Sequence, residues 1–198
     1  MEKPTVLGSM MYRSHRNLLK KTLVNFDRNL EVLDIGCGRG STLQSFREWG
    51  FNRSTGVDIS KVGLIRCQER GFKVGKDVFE MDATKLSYGD ATMDLVFSEG
   101  TLEHYIDFTP FTKEMARVSK SWIVLVQPNH ASLISKIIQF GWSLFRKDSG
   151  GVKELTYKLD DFYSDLENRG FKHVSTSFTL LRDHVVIVFR RREIDENR

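Results

Sequence analysis

Cysteine is nearly absent from this chain. Cys37 and Cys67 are the only two in 198 residues, and no metal-binding spacing joins them. Two reduced thiols are therefore expected, in a cytoplasmic protein. Long apolar runs are missing too: no stretch approaches the roughly 20 residues of a membrane span. The opening Met1-Glu-Lys-Pro-Thr-Val-Leu-Gly8 lacks the apolar centre of a secretory signal. Neither sign of charge dominates, since 30 basic and 26 acidic residues leave a net +4. That balance permits a nucleic-acid or anionic-membrane partner without requiring one. Repeats, low-complexity tracts and linkers are also lacking. What remains is an ordinary globular composition, 40% hydrophobic and 28% charged. It predicts a single domain over residues 1–198, burying about 70% of its unfolded surface.

The stretch Glu31-Val-Leu-Asp-Ile-Gly-Cys-Gly-Arg-Gly-Ser-Thr-Leu43 is the most informative. Val32 to Ile35 reads as a short buried strand. It breaks into glycines at alternate positions, Gly36, Gly38 and Gly40, with Ser41 expected to cap the next helix. Glycine allows backbone angles closed to other residues and lets a ligand approach the main chain. Such a loop offers N–H groups and a helix N-terminus to a nucleotide-like ligand. An ordinary strand-to-helix turn is the competing reading, and only the context separates the two.

Residues 1–29 are expected to form an N-terminal helical segment, its apolar residues among Arg13, Arg16, Lys20 and Lys21. After the glycine unit, strands are predicted at Thr55–Ile59, Val78–Met81, Met93–Phe97 and Trp122–Val126. Helices are predicted at Ser41–Trp49, from a Ser60 cap to Arg70, and at Thr109–Arg117 with Pro110 in its first turn. Strand and helix alternate with short connections, which implies a parallel sheet with helices on both faces. Later comes a helix over Leu159–Asn168, then strands over Val174–Leu180 and His184–Phe189. The link between those strands, Leu181-Arg-Asp183, is too short to cross a sheet, so they must be antiparallel neighbours. Residues 129–156 read as a helical, lid-like insert. Within it, positions 133, 134, 137, 138, 141, 142 and 145 form one face, apolar except for the small Gly141, that would pack on the core, close over an apolar acceptor, or give peripheral membrane contact through 132–147.

Ligands of open parallel sheets sit at the carboxyl ends of the strands. Asp34 lies inside the first strand, just before the glycines, while Asp58 and Asp82 close the next two. Asp58 suits the two hydroxyls of a ribose, and Asp82 an exocyclic amino group. Each alone reads as a cap or solvated turn. Together, beside a glycine loop, they read as one site.

The motifs Val32-Leu-Asp-Ile-Gly-Cys-Gly-Arg-Gly40, Gly56-Val-Asp-Ile-Ser60, Met81-Asp-Ala-Thr-Lys-Leu86 and Asp90-Ala-Thr-Met-Asp-Leu-Val-Phe-Ser-Glu-Gly-Thr-Leu-Glu-His104 resemble a class I S-adenosylmethionine-dependent methyltransferase. The most similar subgroup acts on small molecules and quinones. The resemblance implies an α/β, Rossmann-like, seven-stranded and mostly parallel sheet whose last strand is antiparallel. It implies S-adenosylmethionine as cofactor, S-adenosylhomocysteine as product, and no metal. Carried over by position, Gly36, Gly38 and Gly40 lie under the methionine moiety, Asp34 near its amino group and Asp58 on the ribose. Asp82 and the Ala83 backbone meet the adenine, and Ser98 and Glu99 border the transferable methyl. Cys37 and Ile59 complete the expected cofactor-binding set. The sequence departs from the subgroup at Ser87-Tyr88 and Met93, and has Ser119-Lys-Ser121 where a Pro-Gly-Gly turn is usual. A dinucleotide oxidoreductase is disfavoured, because the glycines run Gly-x-Gly-x-Gly and no residues remain for a second domain.

Methyl transfer needs alignment and exclusion of water, and a general base only if the acceptor has a proton to lose. His104 is the best placed base, with packing or capping as its competing role; Asp107 and His130 are weaker candidates. The fourth strand is not followed by an Asn/Asp-Pro-Pro-aromatic tetrapeptide, which disfavours a nucleobase-amine acceptor. The expected partner is a small-molecule or lipid-like acceptor. An RNA or protein methyltransferase, or a non-catalytic binding module, is the alternative. Oligomeric state is not readable from the sequence.

Overall fold

Val32-Leu-Asp-Ile35, Leu95-Val-Phe97, Ile123-Val-Leu-Val126 and Val185-Val-Ile-Val-Phe189 are continuous apolar runs broken only by Asp34, as strands covered on both faces require. The computed structural model describes residues 6–129, 132 and 157–193. Its strands are β1 (Val32–Ile35), β2 (Ser54–Asp58), β3 (Val78–Glu80), β4 (Met93–Glu99), β5 (Ser119–Pro128), β6 (Phe171–Phe178) and β7 (His184–Arg191). They form one seven-stranded sheet in the order β3-β2-β1-β4-β5-β7-β6. β1 pairs in parallel with both β2 and β4. β7 runs antiparallel to β5 and to β6, so it alone opposes the rest. The short turn before His184 therefore does what its length demanded.

Strand alternation splits the core in two. Leu33, Ile35, Val96, Ile123, Leu125 and Ile187 face α4 (Thr109–Val118) and α5 (Leu159–Asn168), which contribute Phe111, Met115, Phe162 and Leu166. Val32, Leu95, Phe97, Val124 and Val126 face α1 (Val6–Thr22), α2 (Ser41–Glu48) and α3 (Lys61–Glu69). α1 joins that second layer through the buried Leu19, with Leu23 buried just past its end. Burial at roughly 1.5–3 kcal/mol per large apolar side chain makes both layers indispensable.

Several expected boundaries move. α2 is not capped by Ser41, which is its first helical residue. Gly40 holds the N-cap position with a left-handed backbone and no side-chain bond, and the Ser41 carbonyl instead accepts the Ser45 hydroxyl at 2.8 Å. Ser60 does cap α3, accepting from the Gly63 amide at 3.1 Å. β6 begins at Phe171, directly after Gly170, rather than at Val174. Its pairing with β7 slips between His173 and Ser175, which interrupts the alternation the sequence displays. Leu180 falls in the turn and is 78% exposed. β5 follows α4 without a linking turn, and buried Ser119 donates its hydroxyl to the Trp122 carbonyl at 3.0 Å. Residues 133–156, with the lid-like insert and its membrane-contact reading, lie outside the described residues, as does His130.

Candidate functional site

Sheet order reverses between β1 and β4, so the loops leaving these two strands diverge and leave a crevice. A cavity of about 330 Å³ opens there, lined by Gly36, Gly38, Asp58, Thr101, His104 and Tyr105 among others. Val57, Ile59, Met81, Ala83 and Gly100 complete its walls.

The floor is the glycine loop. Gly36 has φ +76°, and a Cβ on it would come within 2.1 Å of the Thr101 hydroxyl oxygen. The loops after β1 and β4 touch there, so only hydrogen fits. Gly38 has φ +53° and nothing within 4 Å of where its Cβ would stand. That open space is the cavity itself. The Gly38 amide donates to Asp58 Oδ2 at 2.7 Å, and the Ser60 amide donates to Oδ1 at 2.7 Å. Two backbone donors from two loops thus hold the carboxylate at the end of β2, with lone pairs still free for a ligand.

Behind the floor sits Asp34, 1% exposed, its Oδ2 without a hydrogen-bond partner. Burial pushes its carboxyl well above the usual carboxylate range, and Glu99, Cys67 and Asp58 push it further. Such a group favours either a proton or a nearby cation. Cys37 and Cys67 are buried, free thiols packed under the loop, and Cys67 donates to the Gly38 carbonyl at 3.2 Å.

The other anticipated residues divide. Ile59 and Ala83 line the cavity, as does the exposed ring of His104, carried on a short 3₁₀ turn, Leu102–His104. Asp82 instead accepts the amide and hydroxyl of Thr84, both at 2.8 Å, and lies outside the lining. These bonds to Thr84 lower its carboxyl below the usual range. Ser98 is fully buried and donates to the Ile35 carbonyl at 3.0 Å, staying within the sheet. Glu99 turns toward α1 and α2: Thr42 donates to its Oε2 at 2.8 Å, and His15 Nε2 lies 3.3 Å from its Oε1. Gly40 stands at the start of α2, away from the cavity lining. Asp107 accepts the Thr109 amide at 2.8 Å at the start of α4.

Sequence reasoning missed Gly100, Thr101, Val57, Met81 and Tyr105 as lining residues. The first two sit in the quoted Ser98-Glu-Gly-Thr101 segment, one and two places past the residues chosen. Tyr105 is held by Tyr157, whose hydroxyl donates to the Tyr105 carbonyl and, at 2.9 Å, to that of Ile106. A second, more polar groove of about 510 Å³ runs between α1 and α2 and includes Arg13, Arg16 and Arg70. There Arg16 bonds to Glu48 and Arg70 to Gln44.

This arrangement matches a known group. Residues 33–124 fit the family model described as a methyltransferase domain. Over 108 residues the chain is 31% identical to a probable phthiotriol/phenolphthiotriol dimycocerosates methyltransferase 2 of Mycobacterium ulcerans, covering 54% of this chain and 42% of that protein. Over 91 residues it is 35% identical to the 27-O-demethylrifamycin SV methyltransferase of Amycolatopsis mediterranei, covering 44% and 34%. It superposes on the magnesium protoporphyrin IX methyltransferase of Synechocystis, crystallised with S-adenosylhomocysteine, with TM-score 0.74 at 19% identity over 96% of this chain and 90% of that one. Residues 33–124 match a methyltransferase domain, and the chain has the fold of the class I S-adenosylmethionine-dependent methyltransferases. Within this chain, the stretch matching the methyltransferase domain supplies the glycine floor and Asp58, while α1 lies before the matched span. The matched stretch covers under half the length of either curated relative. No helix among the described residues is long and apolar enough to cross a membrane, and none of their His, Cys, Asp and Glu side chains group in threes as a metal site would need.

Proposed function

We propose that this chain binds S-adenosylmethionine in the Gly38–Asp58 crevice and methylates a small-molecule or lipid-like acceptor. The observation that carries this reading is the open floor over Gly38, beside a carboxylate already oriented by two amides. The residues present fit the cofactor. Asp58 accepts the ribose hydroxyls, and Ile59, Met81 and Ala83 supply an apolar slot for a flat base. Asp34, whose buried oxygen lacks a partner, and Glu99 offer carboxyl oxygens near the end where the cofactor is cationic. Asp82, tied to Thr84, holds the loop that presents Ala83 rather than reaching the base itself.

When bound, the cofactor supplies a methyl group on a sulfonium, activated for in-line displacement. The chain aligns the partners and keeps water out, an effect worth effective molarities of about 10⁵ M or more. His104 and Tyr105 stand at the cavity wall where an acceptor enters. From there the imidazole takes the acceptor's proton when one must leave. Exposed Ile59 in the lining, with the 92% exposed Ile106 following Tyr105, favours an acceptor with apolar surface. The names of the curated relatives point the same way.

Calorimetric titration with S-adenosylmethionine, with nicotinamide dinucleotides as controls, tests the cofactor. A methyl-label screen over metabolite and lipid extracts then tests the acceptor. Binding of the dinucleotide in place of S-adenosylmethionine would overturn the reading.

A further inference from the structure

α1 is fastened across the ligand edge of the sheet. Ser14 Oγ accepts the Leu180 amide at 2.9 Å, and Arg16 pairs with Glu48 at 3.1 Å while lying 4.7 Å over the Trp49 ring. Between them, the His15 ring stacks on His184 with centroids 4.9 Å apart and planes 21° from parallel. His184 is itself fixed, its Nδ1 lying 2.8 Å from Asp183 Oδ2, while Asp183 Oδ1 accepts the Thr179 hydroxyl at 2.5 Å.

This framework aims His15 at one target. Its Nε2 lies 3.3 Å from Glu99 Oε1, and Thr42, in the first turn of α2, holds Oε2. Both oxygens of Glu99 are thus addressed, one from each helix. The Nε2 atom is buried, and its approach to Glu99 lacks hydrogen-bond geometry. At 3.3 Å from a carboxylate oxygen, a charged ring there makes an ion pair with Glu99.

We infer that His15 is a positioning residue which sets Glu99 against the cationic end of the bound cofactor and gives up a proton as that cation arrives. The inference rests on the cofactor reading above. The His15 imidazolium competes with the incoming cation for the Glu99 side chain. The charged groups facing His15 are Glu99 from β4, Asp183 and His184 at the start of β7, and Arg16 of α1. Burial lowers the imidazole below its ordinary value, Glu99 and Asp183 oppose that, and His184 and Arg16 reinforce it. The competition therefore strengthens as pH falls.

The test is calorimetric titration of S-adenosylmethionine into the full chain between about pH 5.5 and 7.5, in two buffers of different ionisation heat. The wild type is expected to bind more weakly at the acid end and to release protons on binding. His15→Gln keeps an amide donor for Glu99; it is expected to bind within about threefold of wild type at the upper pH and to lose both the pH dependence and the proton release. His15→Ala, checked for folding by circular dichroism, is expected to bind about tenfold more weakly. A merely structural role would lower thermal stability and leave the linked proton in place. Retention of wild-type pH dependence and proton release by His15→Gln overturns the inference, as does wild-type affinity in folded His15→Ala. Failure of the wild type to bind S-adenosylmethionine at any pH is the different result that removes the cofactor reading itself.

Discussion

The Gly38 amide donates to Asp58 Oδ2 at 2.7 Å, joining the loop after β1 to the end of β2. One bond thus orients a carboxylate and fixes a floor that has no side chain. Gly38→Ala puts a methyl group into open space at φ +53°, so nothing in the protein clashes with it. The left-handed backbone costs about 1–2 kcal/mol. Urea unfolding should show that modest loss, while titration shows cofactor affinity reduced about a hundredfold or more, because the methyl occupies ligand space. Equal affinity in the folded variant would mean the ligand lies elsewhere.

Asp34 makes apo stability depend on pH. Its carboxyl is raised by burial and by its acidic neighbours. Its stabilising contribution is therefore complete below the unfolded-state value, about 3.9, and is lost as pH rises through the folded-state value. Urea midpoints should fall over that rise in the wild type and change less in Asp34→Asn. Saturating S-adenosylmethionine at about 100 times its Kd should restore roughly 2.7 kcal/mol to the wild type. A wild-type midpoint flat in pH would contradict this.

Arg117 binds the segment that leads into β4. It bonds to both oxygens of Glu114, to Asp90 Oδ1 and to the Tyr88 carbonyl at 2.8 Å, and to the Leu86 carbonyl at 2.9 Å. Lysine cannot reproduce that planar fork. Arg117→Lys should cost about 1.5–3 kcal/mol in urea unfolding. A loss within experimental error would show that the backbone contacts persist without it.

His104→Ala tests the base. With an acceptor that loses a proton, kcat should drop about a hundredfold or more. Cofactor affinity measured by titration should stay within about twofold, since the ring is on the cavity wall rather than the glycine floor. Full turnover would assign the ring to packing.

The alternation of strands and helices was legible because buried parallel strands are apolar throughout and the glycines punctuate them. Boundaries were less so. β6 starts at Phe171 because pairing with β7 extends there through a slip in register that residue patterning obscures. Asp58 was legible as a cavity residue from its place at a strand end. Asp82 and Glu99 looked equivalent to it by the same rule, yet their side chains turn to Thr84 and to the Thr42–His15 pair.

The amino-acid order by itself determined the strand succession, the glycine loop and the antiparallel β6–β7 hairpin, since local periodicity, backbone freedom and link length act over neighbouring residues. Only the tertiary structure decided which acidic side chains face the cavity and that α1 lends His15 to β4. Those choices depend on competing hydrogen-bond partners and on burial, which exist only after distant segments have packed.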